Sequence, residues 1–252
     1  MKVVLTIAGS DPSGGAGAQA DLRVFSDMGV KGFSAITAIT AQDDDAVLAI
    51  HPTSADILTQ QLSTACKKAP PDAIKIGMVA TQANVRAIVW FLNHTKTPHI
   101  VIDPVLHSSS GTPLLESKAY NIYRQQLLPY ATVITPNVLE AQALAGMQVN
   151  SVETMKTAAA AIHLETLKMR GTADRSLAVI IKGGHLEGDA VDVVFDGTEI
   201  REYSAPRIPG PSPRGTGCRF SSAIAAQLAQ GASLDEAVKA AKEYMGKYIS
   251  RK

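Results

Sequence analysis

Short apolar runs rich in β-branched residues recur along this chain, and most stop at polar or turn-forming residues. Residues 3–8 end at Gly9-Ser10-Asp11-Pro12, 73–76 at Gly77-Met78, 100–102 at Asp103-Pro104, 133–135 at Pro136-Asn137, and 177–181 at Lys182-Gly183-Gly184; residues 33–39 and 46–51 add two more runs. Continuous runs of this length describe strands buried on both faces. Between them the apolar spacing turns helical, over residues 20–28, 55–67, 84–92, 120–127, 138–145, 154–169 and 234–248. Strand and helix alternate without a long polar linker, which predicts one α/β domain over residues 1–252, built on a mostly parallel sheet. Residues 191–195 and 199–203 flank Asp196-Gly197, a hairpin signal that predicts antiparallel strands at one sheet edge.

Composition removes several function classes. The net charge is +1 with no basic run, and aromatic residues make up 5% of the chain, so neither a polyanion footprint nor a base-stacking platform is expected. Cys66 and Cys218 are the two cysteines, far apart in sequence and in no metal-ligand spacing. The first apolar run is too short for a signal peptide or membrane span. A soluble, cytoplasmic enzyme with no membrane or nucleic-acid partner is the expectation.

The stretch 209–229 carries the strongest chemical signal. Pro209, Pro211 and Pro213 predict a rigid extended approach, Gly215-Thr216-Gly217 a tight turn, and Phe220, Ala223, Ile224 and Leu228 one face of a helix. A glycine turn opening into a helix presents free N–H groups and the positive end of the helix dipole, a site suited to an anion. Cys218 stands at that helix start, where a lowered thiol pKa is expected. A tight turn leading into a core cysteine is the plainer reading of the same residues.

Polar residues at the strand ends favour the chemical reading. Asp11, Gln42, Asp103, Asn137 and Lys182 all fall where open parallel sheets bind ligands. Singly, Asp103 reads as a turn starter, Asn137 as a helix cap and Lys182 as a solvated lysine. Together, a lysine for phosphate oxygens and Asp103 with the Asn137/Glu140 pair for a water-coordinated Mg²⁺ are the parts of phosphoryl transfer. A Walker loop is excluded, because Gly15-Ala16 stands where Lys-Ser/Thr is required. Gly15-x-Gly17-x-x-Ala20 fits a dinucleotide turn, but no acidic residue closes the second strand to take a ribose, so a nicotinamide oxidoreductase is a minor alternative.

With those residues in place, the sequence resembles the hydroxymethylpyrimidine and hydroxymethylpyrimidine-phosphate kinases of thiamine biosynthesis, in the ribokinase-like superfamily. The resemblance runs through Thr6-Ile7-Ala8-Gly9-Ser10-Asp11-Pro12-Ser13-Gly14-Gly15-Ala16-Gly17, Gln19-Ala20-Asp21-Leu22, Ala38-Ile39-Thr40-Ala41-Gln42, Lys75-Ile76-Gly77-Met78 and Ile102-Asp103-Pro104-Val105. It continues in Ile134-Thr135-Pro136-Asn137-Val138-Leu139-Glu140, Lys182-Gly183-Gly184-His185 and Gly215-Thr216-Gly217-Cys218. It implies a three-layer α/β/α sandwich with an antiparallel edge hairpin, ATP and Mg²⁺, and a homodimer. Gly9, Asp21, Gln42, Met78 and Val105 would line the pyrimidine pocket, with Gln42 on the aminopyrimidine edge. Cys218 would take the hydroxymethyl proton, and the amides of Gly215, Thr216, Gly217 and Cys218 would hold the moving phosphoryl group. Asp103, Asn137 and Lys182 would serve ATP, and Asp103 with Glu140 the metal.

The chain departs from this family at several points. Ser109 and Thr112 replace a lysine and an aspartate, Arg214 and Arg219 stand where histidine and threonine are commoner, and no glycine-rich tail follows the last helix. The two arginines supply positive charge at the anion site or lie in solvent. A pyridoxal kinase of the same fold and a catalytically silent pyrimidine-binding protein are the remaining alternatives.

Overall fold

β1 (Val3–Ser10) pairs in parallel with β2 (Lys31–Gln42) on one side and β4 (Ala73–Ile76) on the other, so the first strand lies inside the sheet. In this computed structural model, which describes residues 1–43, 45–170, 176–184, 186, 188–210 and 213–251, the strands form one nine-stranded sheet of order β3-β2-β1-β4-β5-β6-β7-β8-β9. β5 (His99–Ile102), β6 (Val133–Ile134) and β7 (Ala178–Ile181) continue the parallel run. Of the residues singled out above, His185 and Pro211 lie outside the described residues.

The hairpin at Asp196-Gly197 forms as expected, between β8 (Ala190–Phe195) and β9 (Ile200–Ala205). Its turn is closed by Asp196, whose carboxylate accepts the Thr198 and Glu199 N–H groups. Both edges turn out antiparallel, because β3 (Val47–Pro52) folds back on β2 through a tight loop. Only one such edge was expected.

Side-chain alternation along the strands builds two cores. Ile100 and Ile102 join the layer under α2 (Ala55–Ala65), α3 (Gln82–His94), α5 (Val138–Ala145) and α6 (Val152–Arg170), together with Leu58, Leu62, Ile88, Phe91, Leu144 and Ile162. Val101, between them in sequence, points to the opposite layer, with Phe25 of α1 (Gly17–Asp27), Phe220 and Ile224 of α7 (Thr216–Ala229), and Val238 of α8 (Leu234–Ile249). The expected helix over 120–127 is an irregular segment instead. A 3₁₀ turn (Ser117–Ala119), one turn of α4 (Tyr120–Ile122) and a π turn (Tyr123–Leu127) lead into a second 3₁₀ turn at Leu128–Tyr130, where Pro129 removes a donor.

Two loops interlock above the strand ends. Gly215, the N-cap of α7, has φ +71°, and a Cβ placed on it would lie 2.1 Å from the Gly15 carbonyl oxygen. The turn before α1 and the turn before α7 thus touch backbone to backbone. Gly215→Ala combines a left-handed L-residue with that clash, and equilibrium unfolding should show a loss of at least about 2 kcal/mol.

Candidate active site

The site forms at the carboxyl ends of β1, β4, β5, β6 and β7, over the strand-order reversal between β1 and β4. Asp103 directly follows β5, and its backbone N–H bonds the Ile76 carbonyl. Its Oδ1 accepts Lys182 Nζ at 2.7 Å and Thr135 Oγ1 at 3.2 Å, while Oδ2 accepts Ser221 Oγ of α7 at 3.3 Å. Lys182 follows β7 and bridges in parallel to Asn137, three residues beyond the β6 end. Its ammonium lies 3.0 Å from where a Cβ on Gly217 would be. Lys182 is therefore a tethered cation held against the first turn of α7.

That turn is open to a ligand. No side chain caps the Gly215 end of α7, leaving its leading amides free of a side-chain partner. Asp103, Asn137, Glu140, Lys182 and the 215–218 turn converge here as the sequence reading had them.

Asn137 and Glu140 have a local task as well. The Asn137 side chain accepts the Glu140 N–H at 2.9 Å and Glu140 Oε2 accepts the Asn137 N–H at 2.7 Å, a reciprocal capping box that starts α5. The capping role and the site role fall on the same two side chains. Burial raises the Glu140 carboxyl to about 7, against the pull of Lys182 and reinforced by the charge on Asp103. Burial also works against charge on Asp103, but Lys182 and then Lys75 outweigh it and hold that carboxyl below its ordinary range. Two carboxylates that raise one another's energy, set beside an anion cradle, suit a hard oxygen-seeking cation; Mg²⁺ commonly takes one or two carboxylates and completes its shell with water and phosphate. Among the described residues no cluster of three or more His, Cys, Asp or Glu side chains is found.

Cys218 is the clearest correction. It does stand in the first turn of α7, yet burial pushes its thiol up to about 11, with Lys75 pulling down and Asp103 and Asp21 adding to the rise. Desolvation outweighs the pull of Lys75 and Lys182, so the resting thiol keeps its proton at neutral pH.

The expected pocket residues divide into two groups. A Cβ on Gly9 would meet Met78 Sδ at 2.8 Å, and Met78 packs in a small cluster with Ala38, Ala80 and Val105, so Gly9, Met78 and Val105 come together. Gln42, half-buried at the end of β2, accepts on its Oε1 a hydrogen bond from Arg214 Nη2 at 2.9 Å. Asp21 does not reach this wall. It is fully buried between the sheet and α7, taking Lys75 Nζ on both oxygens at 3.0 Å, Thr6 Oγ1 at 2.6 Å and Ser222 Oγ at 2.7 Å. With its acceptors filled by the protein, Asp21 supports the site from below.

One functional-looking residue had no role in the sequence reading, and another had its role left open. Lys75 is 0% exposed and occupies an inward position of β4 where alternation calls for an apolar side chain. A lysine inside a four-residue buried strand was the signal, and its partner lay 54 residues away. Arg219, for which a solvated role was open, is 1% exposed; its Nη2 reaches the Gly14 and Gly15 carbonyls at 3.3 Å and its guanidinium stacks 4.3 Å from the Tyr248 ring centre. Asp11 similarly serves its own loop, accepting from Ser13 and from the Ala16 N–H at 2.8 Å. The Gly14–Gly15 carbonyls face a buried arginine and the turn is packed on Gly215, an arrangement unlike a pyrophosphate-binding dinucleotide turn.

Comparison with known proteins shows which proteins this chain and its fold are similar to. A family model described as phosphomethylpyrimidine kinase covers residues 11–252. The chain is 37% identical over 248 residues to the hydroxymethylpyrimidine/phosphomethylpyrimidine kinase of Aquifex aeolicus, covering 98% of this chain and 94% of that one. Among solved structures, the phosphomethylpyrimidine kinase of Clostridium difficile superposes with a TM-score of 0.84 at 38% identity, over 99% of this chain and all of that one. The pyridoxal kinase of Staphylococcus aureus, in complex with AMP-PCP and pyridoxal, gives 0.87 at 35% identity, over 99% and 88% of the two chains. The three layers and antiparallel edges are those of the ribokinase-like kinases.

Glu140 generates a pH-dependent stability. Its folded pKa of about 7 lies above the ordinary 4.5, so the native state holds the extra proton between those values and stability falls as pH rises through that window. Without nucleotide or Mg²⁺, Glu140→Gln should flatten this slope and raise unfolding free energy at pH 8 by up to about 3 kcal/mol, measured by denaturant titration.

Proposed function

This chain belongs to the phosphomethylpyrimidine kinase family, and from that membership we propose that it transfers the γ-phosphoryl group of ATP to 4-amino-5-hydroxymethyl-2-methylpyrimidine, and then to the monophosphate so formed, in thiamine biosynthesis. The observation that carries the reading is the Lys182 ammonium, anchored by Asp103 and held against the uncapped first turn of α7 beside Cys218. That geometry supplies a fixed cation and oriented amides where charge gathers on a transferring phosphoryl group.

Each residue has a defined part in the reaction. Gly9, Met78 and Val105 form the wall for the pyrimidine ring, and Gln42 reads its edge. The hydroxymethyl oxygen forms its bond to the γ-phosphorus as the bond to ADP breaks. The leading amides of α7, Gly215 to Cys218, and the Lys182 ammonium stabilise the phosphoryl oxygens. Asp103 and Glu140, with Asn137 setting the start of α5, are the residues that would hold Mg²⁺, which when bound neutralises phosphate charge. The hydroxyl proton passes to Cys218 sulfur. Because the thiol is protonated at rest, the base is its thiolate fraction, and in a loose transition state positioning supplies more of the rate than proton removal.

Two further features belong to the same proposal. No helix among the described residues is long and apolar enough to cross a membrane, and a cytoplasmic location is part of the proposal. The β2–β3 ribbon ends the sheet with Ile39 60% exposed and Leu48 74% exposed, which supports a homodimer formed there.

ATP consumption followed in a coupled assay, with Mg²⁺ and each ring compound in turn, tests the reading. Hydroxymethylpyrimidine and its phosphate should each stimulate turnover; stimulation by pyridoxal alone supports the rival kinase, and binding without turnover a silent protein. Cys218→Ala should fold normally and lose about 100-fold or more in kcat. A thiol near 11 also fixes the pH profile: wild-type kcat/KM should climb with a slope near one from pH 7 to 9, and Cys218→Ala should be flat.

A further inference from the structure

The side chain assigned to the pyrimidine edge is held in one sense by its neighbour. Arg214, the residue before Gly215, donates Nη2 to Gln42 Oε1 at 2.9 Å. A guanidinium carries donors only, so the oxygen of the Gln42 amide must face it; a reversed amide would set two donors against each other. Gln42 Nε2 therefore points away from the 214–218 loop, and it has no hydrogen-bond partner among the described residues. The contact spans 172 residues and joins the end of β2 to the phosphate-binding turn.

We infer that Arg214 is a positioning residue that selects an aminopyrimidine over an oxopyrimidine, and sets which way the ring lies, by locking the amide of Gln42. The inference rests on the function proposed above. An amide pairs with a 4-aminopyrimidine edge in one register: its oxygen accepts from the exocyclic amine and its NH₂ donates to the adjacent ring nitrogen. A carbonyl oxygen has two lone pairs, so Oε1 accepts from Arg214 and from the substrate amine together. In the substrate, the carbon bearing the amine lies between that ring nitrogen and the carbon bearing the hydroxymethyl group. With Nε2 on the ring nitrogen and Oε1 on the amine, the next substituent along the edge lies on the Arg214 side. That side is where Gly215 and Cys218 stand. A reversed amide would turn the ring over and carry the hydroxymethyl group away from them.

The same lock acts against the 4-oxo analogue. That compound presents an acceptor oxygen and a ring N–H, the inverse pattern; turned over, it pairs with the locked amide but carries its hydroxymethyl group away from Cys218, and in the productive ring orientation it needs the amide orientation that Arg214 forbids. The discrimination therefore falls on kcat/KM, because the productive pose leaves donors and acceptors mismatched, which a site built for hydrogen bonding penalises heavily.

The test compares kcat/KM for the 4-amino substrate and its 4-oxo analogue in wild type, Arg214→Met and Arg214→Lys, with calorimetric affinities for both compounds. Arg214→Met, which removes the donors, should cut the amino-over-oxo ratio of kcat/KM by about tenfold or more, through faster turnover of the oxo compound as the freed amide pairs with it in the productive orientation. Arg214→Lys, which keeps a donor-only group, should restore most of it. An unchanged ratio in Arg214→Met, with both substrates slowed equally, would overturn the inference while leaving the kinase activity standing. A wild-type protein that neither binds nor phosphorylates the aminopyrimidine would overturn both.

Discussion

A lysine and an aspartate sealed between the sheet and its helices hold the reactive end of this molecule together. Lys75 and Asp21 are both wholly buried, and the aspartate also takes hydroxyls from Thr6 on β1 and Ser222 on α7. One carboxylate thus ties two adjacent strands, α1 and α7 at a single point beneath the uncapped turn that opens α7. Such a pair gains little over apolar packing, but losing one partner strands a charge in the interior. Burial opposes charge on Lys75, yet Asp21, followed by Cys218 and Asp103, keeps its ammonium firmly protonated. The positive charge below Cys218 is therefore permanent at any working pH, and it counters part of the desolvation that holds the thiol neutral.

Much of the fold was legible because it is encoded locally. The limits of β4 and α5 fall where the residue pattern put them, since a buried parallel strand needs an unbroken apolar run and a capping box marks its own helix start. The second antiparallel edge was not legible, since nothing in residues 47–52 states the direction in which that strand pairs. The segment 117–130 kept its helical character and lost its regularity, where Pro129 cannot donate.

The site was legible in membership and less so in roles. Strand-end polar residues announce where ligands gather, and Asp103, Asn137, Glu140 and Lys182 do meet there. What the residue string does not carry is desolvation. It placed Cys218 at a helix end, where the thiol pKa should fall, and burial reversed the sign. It placed Asp21 beside a ligand, and contacts from residues as far away as Ser222 filled its oxygens. Arg219 was left between the anion site and solvent because neither Tyr248 nor the Gly14–Gly15 carbonyls are near it in sequence.

Lys182 is also tied to the far end of the chain. The next residue, Gly183, donates its N–H to Asp192 on β8 at 3.0 Å, and the other oxygen of Asp192 takes Lys242 of α8 at 2.7 Å. Gly183 lies close against β8, since a Cβ there would lie 1.9 Å from the Val191 carbonyl oxygen. The terminal helix is thereby joined, through the two oxygens of Asp192, to the residue beside Lys182. Lys242, remote in sequence from the strand ends, is thus part of the scaffold on which that cation stands.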